Sequence, residues 1–406
     1  MPKICGIIAE YNPFHNGHAG NIALAAKTSG ADAVVVALGG NFVQRGEPAL
    51  IDKFRRTYAA LSGGAHMVLE LPLPYASASA EAFARGGCRL LAATNFVDCI
   101  AFGSEAGDLT PLQKLATLLC NETADFKREL QGGLRSGLSF PAARALAAEA
   151  VLPGSAAVLA EPNNILSVEY LKAIAKENLP LVPFALKRQG TAAAHHNAAD
   201  LVAGVTSATS IRRHLAQGGD IDALKSVLPP DSRRILREQH SRDALNHLDY
   251  FSSFLHYAML NTSQRDLDEI YCLPKDLQKR IITAATANYL ISDVISSAKA
   301  KNMTYTAISR AILQIILKIP ARMREMPPPY IRVLGVRASH RHLISQLHNF
   351  ASLPVITNLK SVDSLPRDAK LMLELELAAT KTYWLALKAQ GIAAESEFAQ
   401  GIVVVS

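Results

Sequence analysis

The sequence predicts an α/β fold in which a doubly wound parallel sheet is followed by a mostly α-helical C-terminal region. Three observations lead to this prediction. In residues 1–105, short apolar runs alternate with amphipathic helical periods, as a parallel sheet covered by helices on both faces requires. Polar segments follow each apolar run. From residue 219 onward, helical periods dominate the chain.

The first part of the chain is predicted as a β-α-β-α-β-α-β series. Strands are predicted where Val, Ile, Leu and Ala are nearly continuous, and helices where apolar residues repeat with the helical period. In chain order these elements are Ile4–Ala9, Ala19–Lys27, Ala33–Leu38, Asp52–Leu61, Met67–Leu71, Ser79–Ala93 and Cys99–Phe102. Ligands of such sheets bind outside the carboxyl ends of the strands, so we expect chemistry in the polar segments that follow them.

The remaining elements divide the chain into two predicted domains. The first covers residues 1–218 and includes a helical insertion at about residues 107–160. It continues with a helix at Ile165–Glu177, a strand at Leu181–Leu186 and a helix at Ser207–Gln217, and ends at the Gly218-Gly219 break. The second covers residues 219–406, with helices at Asp266–Asn288 and Ile308–Ile319 and short strands at Tyr330–Val336 and Leu353–Thr357.

The composition is that of a globular enzyme. Of the 406 residues, 49% are hydrophobic and 19% are charged, which excludes disorder and fibres. The five cysteines are widely spread and form no C-x-x-C pair, so neither a disulfide framework nor a zinc module is indicated. No apolar stretch reaches the ~18 residues that a bilayer span needs. We therefore expect a cytoplasmic protein with no membrane partner and no metal ligands of its own.

The positive charge is concentrated near the C-terminus. The chain carries a net charge of +7, and residues 299–341 contain nine Lys and Arg against one acid. Such a stretch can supply the phosphate contacts that dominate nucleic-acid affinity. The alternative is a solvated basic helix face followed by a loop. The candidate contacts are Lys299, Lys301, Arg310, Arg332, Arg337 and Arg341.

A pair of histidines follows the first strand. His15 and His18 lie three residues apart at a predicted helix start, so they face the same way. The N–H groups and the positive end of the dipole make a helix start a phosphate site, and each imidazole can donate to a phosphate oxygen as charge builds on it. A histidine at this position is otherwise most often a helix cap or a packed side chain.

A second segment resembles a binding site for the other phosphates. Thr206–Arg213 combines hydroxyl groups at a helix start, Ser207 and Thr209 among them, with the guanidinium of Arg212. Taken alone, this segment is an ordinary Ser or Thr N-cap with surface arginines. The combination with the histidine pair favours a triphosphate ligand.

These two segments resemble a known superfamily. His15-Asn16-Gly17-His18 is similar to the H-x-G-H signature of nucleotidyltransferases, which have a Rossmann-like domain, and Thr206–Arg212 is similar to their second motif. Further segments resemble the bacterial tRNA(Met) cytidine acetate ligase family. They are Gly6–His18, Gly40–Ala49, Phe102–Glu105, Pro162–Leu166, Met303–Thr306 with Arg310, and Tyr330–Gly335.

The resemblance implies a reaction and a set of residues. Members of this family use ATP to activate acetate as acetyl-adenylate, and then acylate N4 of the wobble cytidine of elongator tRNA(Met) without acetyl-coenzyme A. His15, His18 and Arg212 would be catalytic, and Mg²⁺ would accompany the phosphates. Residues expected to contact ATP are Ile8, Ala9, Glu10, Tyr11, Asn12, Pro13, Phe14, His15, Asn16, Gly17, His18, Ala19, Gly20, Asn21, Gly103, Asn163, Asn164, Arg188, Ser207, Thr209 and Arg212.

The acetate pocket is predicted from position alone. Asn41, Gln44 and Ser104 are polar residues at predicted strand ends. The segment 41–48 is alternatively a lid, because glycines flank it and it contains the polar Arg45.

Three positions depart from the family pattern. Ser167 stands where glycine is usual, His195-His196-Asn197 replaces a usual Tyr-His-Asp, and Ala208 replaces a serine of the second motif. Ser167 makes the local backbone less permissive than glycine would. The change to Asn197 puts in doubt any role of an acidic residue there, and Ala208 removes one hydroxyl that could bind phosphate. None of them alters the histidine pair.

Two rival functions remain open from the sequence. One is a small-molecule adenylyltransferase of coenzyme biosynthesis, and the other is a non-catalytic nucleotide-sensing RNA-binding protein. The large basic C-terminal region disfavours the first, and the intact histidine pair disfavours the second. No G-x-x-x-x-G-K-[ST] loop is present, and no G-x-G-x-x-G follows the first strand, so a P-loop ATPase or a dinucleotide enzyme is not indicated.

Overall fold

The computed structural model describes residues 2–187, 206–270, 273–300 and 302–406. The strands are β1 (Ile4–Ala9), β2 (Ala33–Gly39), β3 (Phe42–Val43), β4 (Glu47–Pro48), β5 (Met67–Leu71), β6 (Cys99–Ser104), β7 (Val182–Lys187), β8 (Ile331–Arg337), β9 (Val355–Ile356) and β10 (Val403–Val405).

The α-helices are α1 (Asn16–Ser29), α2 (Lys53–Ser62), α3 (Leu73–Ala76), α4 (Ala80–Ala92), α5 (Leu109–Cys120), α6 (Ala124–Arg135), α7 (Phe140–Val151), α8 (Ser155–Ala160), α9 (Pro162–Glu177), α10 (Ala208–Ala216), α11 (Pro230–His240), α12 (Ser252–Leu260), α13 (Gln264–Asp268), α14 (Lys275–Ala287), α15 (Ile291–Ala298), α16 (Tyr305–Leu317), α17 (His342–Phe350) and α18 (Arg367–Lys388). Short 3-10 helices lie at Ile221–Leu224, Leu248–Phe251, Ala321–Arg324, Ala338–His340, Leu359–Ser361 and Glu397–Ala399.

The main sheet has the strand order β10-β8-β5-β2-β1-β6-β7, and β9 pairs with β8. Strands β1, β2, β5, β6 and β7 are parallel. Consecutive strands lead outward from β1 to β5 on one side, and the chain then crosses to β6 and β7 on the other. The direction of winding therefore reverses between β1 and β6, which is where doubly wound sheets bind ligands. The predicted fold class is confirmed.

Both faces of the sheet are covered by helices. Every residue of β2 is buried: Val35 and Ala37 pack into the apolar core on one face, and Val34, Val36 and Leu38 pack into the core on the other. This two-sided burial explains why the strand reads as a continuous apolar run. A third apolar core lies in the helical region and includes Phe251 and Ile312.

The C-terminal half returns to the same sheet. Strand β8 pairs antiparallel with β5, with Val336 opposite Met67, and β10 pairs with β8. The boundary predicted at residue 218 therefore does not separate the sheet from the C-terminal half. Because β8 runs against β5, Arg337 lies at the edge where the parallel strands begin, which is opposite the ligand-binding edge.

A buried cluster of charges joins the two halves. Lys53 Nζ contacts the carboxylates of Glu70 and Glu397 and lies 3.6 Å from Glu376 Oε1. The Arg332 guanidinium lies 3.0 Å from Glu70 and 2.5 Å from Glu397. Arg332 is only 4% exposed. Its prediction as a phosphate contact is therefore wrong, because carboxylates within the protein enclose its charge.

The helical region also differs in one element from the prediction. In place of one helix at Asp266–Asn288, the structure has α13 and α14, and Pro274 is the N-cap of α14. Proline lacks the N–H that a continuous helix would use, which explains the break. None of the described helices has the length and apolarity needed to cross a membrane.

Candidate functional site

The histidine pair lies at the start of α1, directly after β1. His15 is the N-cap of α1, and its Nδ1 accepts a hydrogen bond from Gly17 N at 3.1 Å. His18 Nδ1 accepts from His15 N at 3.3 Å, and the two rings stack with centroids 3.7 Å apart. Because both Nδ1 atoms accept from the backbone, the neutral rings carry their protons on Nε2.

This arrangement combines the two interpretations of the motif. His15 caps the helix, as the simpler interpretation predicts, and so occupies the N–H of Gly17. The same hydrogen bonds fix both rings in the tautomer that offers Nε2–H as a donor. The helix start therefore presents two oriented imidazole donors, while the N–H groups of Asn16, Gly17 and His18 already donate within the protein.

The loop before the histidines is held from several sides. Leu50 N donates to Asn12 Oδ1 at 2.8 Å, and Asn16 N donates to Val227 O at 2.9 Å. Phe14 is fully buried, with Tyr11 edge-on to it at 4.9 Å between ring centroids. The position of the histidines is thus set by packing before any ligand binds.

Helix α10 brings Arg212 to this loop. Arg212 Nη1 donates to Asn12 O at 2.7 Å, and Nη2 lies 3.3 Å from Glu47 Oε2. Ser207 is the N-cap of α10, and its Oγ accepts from Ser210 N at 3.1 Å. Thr209 is half-buried in the first turn of the helix. The two motifs, almost 200 residues apart, therefore meet at the carboxyl end of β1.

Polar residues at the end of β6 form the other side of the crevice. Glu105 follows β6 and accepts hydrogen bonds from Asn163 Nδ2 and from Asn164 N, the latter at 3.0 Å. The Ser104 hydroxyl donates to Asn164 Oδ1 at 2.6 Å. These bonds fix the start of α9 against Gly103 and its neighbours. Ser167 Oγ lies 3.4 Å from Gly103 O, so the serine at this usual glycine position faces the same turn.

The predicted acetate residues do not converge on one pocket. Asn41 and Ser104 are 2% and 0% exposed, and both are bonded within the protein, Asn41 to Lys53 N and Thr380 and Ser104 to Asn164. Asn41 follows β2 and Ser104 ends β6, on opposite sides of β1, which separates them by about two strand spacings, or ~10 Å. Gln44 is half-buried, and its backbone N–H donates to Glu10.

The basic residues of 299–341 do not form one continuous surface. Arg310 lies in α16, where its Nη1 is 3.2 Å from Gln44 O, close to the site. Arg337 and the exposed Arg341 lie at the opposite edge of the sheet. Lys299 is exposed at the end of α15. Arg188, Lys301 and the segment His195-His196-Asn197 lie outside the described residues.

Sequence reasoning missed Arg56, which holds the strand ends together. This fully buried guanidinium donates to four backbone carbonyls: Glu10 and Gly39 through Nη1, Gly40 through Nη2 and Ile51 through Nε. It thereby ties the end of β1 to the end of β2. The helical period places Arg56 on the apolar face of α2, and a charge at a core position was the available signal.

Glu10 is the acidic group nearest in sequence to the histidines. Its Oε1 accepts from Gln44 N at 2.6 Å. Burial raises the pKa of Glu10, while the guanidinium groups of Arg45 and Arg212 partly offset this effect. Among the residues that the structure describes, no group of three His, Cys, Asp or Glu is arranged to hold a metal ion.

The fold and the site define the class of protein. A family model described as HIGH Nucleotidyl Transferase matches residues 2–397. The tRNA(Met) cytidine acetate ligase of Caldanaerobacter subterraneus subsp. tengcongensis is 38% identical over 388 residues, which cover 94% of this chain and 95% of the relative. That of Acetivibrio thermocellus is 34% identical and covers 99% and 100%.

A crystal structure agrees with this assignment over the whole chain. Thermotoga maritima TmcAL bound with alpha-thio ATP has a TM-score of 0.88 and 30% sequence identity, with 99% of each chain covered. The apo form has a TM-score of 0.89 and 28% identity. The present chain therefore belongs to the tRNA(Met) cytidine acetate ligase family.

Proposed function

We propose that the protein ligates acetate to N4 of the wobble cytidine of elongator tRNA(Met), through an acetyl-adenylate formed from ATP. The observation that carries the proposal is the oriented His15–His18 pair at the point where winding of the sheet reverses, with Arg212 anchored beside it. The names of the curated relatives and the alpha-thio ATP bound to Thermotoga maritima TmcAL support the choice of substrates.

In the first step, an acetate oxygen attacks the α-phosphorus of ATP, and the bond to pyrophosphate breaks. Acetate is already charged, so positioning and charge stabilisation suffice without a strong base. His15 and His18 donate from Nε2 to phosphate oxygens, and Arg212 balances the leaving pyrophosphate. The described residues contain no three-ligand metal cluster, so Mg²⁺ would be held chiefly by the phosphates of ATP.

The nucleotide would occupy the crevice between the ends of β1 and β6. Residues 8–21 form one wall, and Gly103, Asn163 and Asn164 form the other. Ser207 and Thr209 lie at the start of α10, where hydroxyl and N–H groups suit phosphate. These positions support the ATP contacts that the sequence predicts.

In the second step, the cytidine N4 attacks the acetyl carbonyl carbon. The carbon–oxygen bond to AMP breaks, AMP leaves, and N4 loses a proton. The base must leave its stack to reach the site. Two of the predicted tRNA contacts lie in the helical region: Arg310, which is close to the site, and the exposed Lys299 at the end of α15. A tRNA substrate supports a cytoplasmic location.

Isotope exchange between pyrophosphate and ATP tests the first step. We expect exchange with acetate, and no comparable exchange with other small carboxylates or phosphorylated coenzyme precursors. Exchange only with a coenzyme precursor would replace the proposal with a small-molecule adenylyltransferase. No exchange with any substrate, with or without tRNA, would leave a nucleotide-binding RNA protein.

Replacing His18 tests the group that carries the proposal. His18→Ala removes one imidazole donor, so we expect acetate-dependent exchange to fall by at least ~100-fold, as for loss of an electrostatic donor. His348→Ala is the matched control, because His348 is exposed near the end of α17. Wild-type exchange in a folded His18→Ala protein would remove His18 from the mechanism.

A further inference from the structure

The hairpin of β3 and β4 lies between the nucleotide loop and the helical region. On the side of the nucleotide loop, Gln44 N donates to Glu10 Oε1 at 2.6 Å. Glu47 Oε2 lies 3.3 Å from Arg212 Nη2. Residues 43 and 47 pair within the hairpin, so both contacts belong to one small rigid unit. The hairpin is therefore a neighbour of two groups of the proposed active site.

Helix α16 fixes the hairpin from the other side. Ser309 Oγ donates to Gly46 O at 2.6 Å, and Arg310 Nη1 lies 3.2 Å from Gln44 O. Gly46 has a φ of +82°, and a Cβ there would lie 2.4 Å from Arg310 N. Backbone therefore packs against backbone at this point, and the tip of the hairpin has a defined position.

Arg45 lies at this tip, between the two anchored residues. It is exposed, and among the residues that the structure describes, none forms an ion pair with its guanidinium within 4.0 Å. The neighbouring carboxylates, in contrast, have partners within the protein: Glu47 pairs with Arg212, and Glu10 accepts a hydrogen bond from Gln44 N. The charge of Arg45 nevertheless acts on Glu10, whose pKa it lowers. An exposed guanidinium thus lies within electrostatic reach of the nucleotide loop.

We propose that Arg45 binds a phosphate group that a substrate brings to this site. A guanidinium on a fixed backbone suits bidentate binding of phosphate oxygens, and its planar group loses less freedom per hydrogen bond formed than a lysine side chain does. The proposal rests on the proposed function, because ATP and tRNA are the phosphate-bearing substrates. The phosphate belongs either to the triphosphate of ATP or to a phosphodiester of the anticodon loop.

Binding measurements without turnover distinguish these sources. Arg45→Ala and Arg45→Lys are compared with the wild type by calorimetric titration with ATP in the absence of acetate. Filter binding of transcribed tRNA(Met) at several salt concentrations provides the second arm. Arg128→Ala is the control, since Arg128 is an exposed arginine on α6 paired only with neighbouring acids. Thermal unfolding of each variant reports folding.

We expect Arg45→Ala to raise the Kd of one of the two ligands by about tenfold, which is the effect of losing one charge-assisted hydrogen bond. Arg45→Lys should weaken it less, because lysine keeps the charge and loses the planar donors. A raised Kd for ATP alone assigns the phosphate to the nucleotide. A raised Kd for tRNA, with a salt dependence shallower by ~0.7, assigns it to the RNA backbone.

Unchanged Kd values for both ligands in a folded Arg45→Ala protein would overturn the proposal. The proposed function fails separately, when the wild type shows no acetate-dependent exchange while its binding constants remain measurable. A wild type that binds neither ATP nor tRNA would overturn both.

Discussion

His15 has two roles: it is the N-cap of α1, and in our proposal it donates to a phosphate oxygen during adenylate formation. Its side chain caps α1, and its ring stacks on His18 at 3.7 Å. The Nδ1 of each ring accepts a hydrogen bond from a backbone N–H, which an imidazolium, with a proton on both nitrogens, could not do. Neutral rings with Nε2–H donors are therefore the state that the geometry supports.

Replacing His15 by asparagine separates capping from chemistry. Asparagine is among the best N-cap residues, so His15→Asn should change the free energy of unfolding little. His15→Ala should lower it by about 1 kcal/mol. We expect both variants to lose acetate-dependent exchange, because neither retains the imidazole. Thermal unfolding and exchange assays measure the two effects, and wild-type exchange in His15→Asn would show that His15 is only a cap.

Glu376 predicts a pH dependence of stability. Burial raises the pKa of Glu376 from 4.5 to about 8, with a further contribution from Glu70. When Glu376 is protonated, the buried cluster of charges that joins the two halves is neutral, because Lys53 and Arg332 balance Glu70 and Glu397. The folded state holds a proton on Glu376 that the unfolded chain has already lost. This group therefore lowers the free energy of unfolding as the pH rises from about 4.5 to 8.

Glu376→Gln removes this dependence. Urea unfolding at about pH 5.5 and 8.5 should show the variant gaining stability relative to the wild type at the higher pH, on the order of a few kcal/mol. Glu374→Gln, an exposed position on the same helix, is the control and should show no such gain. An equal difference at both pH values would mean that Glu376 is ionised throughout.

At the scale of elements, the hairpin of β3 and β4 connects the helical region to the nucleotide loop. Gly46 packs directly against α16: its φ is positive, and a side chain there would meet the backbone of Arg310. Phe42 adds apolar contacts with Phe251 and Tyr383, whose rings lie 5.6 and 6.1 Å away. The hairpin thus depends on α16 for its position.

Gly46→Ala should separate the hairpin from α16. Overpacking at a positive φ costs about 1–3 kcal/mol, so the unfolding midpoint should fall. Exchange should fall as well, because the hairpin contacts Glu10 and Arg212. Gly132→Ala is the control: this glycine lies within α6 with nothing near its Cβ position, so alanine should be neutral or stabilising. A stable, active Gly46→Ala protein would contradict this account of the hairpin.

The elements with strong periodicity were predictable, and those set by distant contacts were not. Ile4–Ala9 and Met67–Leu71 coincide with the predicted strands, because two-sided burial leaves an unbroken apolar run. Strand β8 was predicted near its observed bounds, but its antiparallel place beside β5 depends on a pairing more than 260 residues apart. The two-residue strands β3 and β4 are too short to show a period.

In the candidate site too, features contained in one short segment were predictable, and features that depend on distant contacts were not. The histidine pair was predictable because all its parts lie within one short segment, and the structure shows their stacking. Arg332 could not be recognised as buried, since its partners Glu70 and Glu397 lie far away in sequence. The positions of Asn41 and Ser104 after predicted strands indicate a shared sheet edge, but only the sheet order shows that β1 lies between them.

At the scale of the whole molecule, the two halves share one sheet. Strand β5 lies between β2 of the first half and β8 of the second. Lys53 and Glu70 have their ionic partners on residues 332, 376 and 397. Removing the second half would therefore expose β5 as an edge strand and leave Lys53 and Glu70 paired only with each other.

The fragment of residues 1–218 should consequently not fold cooperatively. Circular dichroism during heating should show a broad transition for the fragment and a sharp one for the full chain. A sharp, reversible transition of the fragment would show that the first half is an independent domain, and that the contacts with β8 and the charge cluster contribute little.

Transfer of labelled acetate tests the central claim most directly. The purified protein is incubated with isotopically labelled acetate, ATP and tRNA(Met), and the RNA is digested and analysed as nucleosides by mass spectrometry. Our account predicts labelled N4-acetylcytidine at the wobble position, dependent on ATP, independent of acetyl-coenzyme A and lost in His18→Ala. Unlabelled cytidine in the presence of acetate-dependent pyrophosphate exchange, or a requirement for acetyl-coenzyme A, would contradict it.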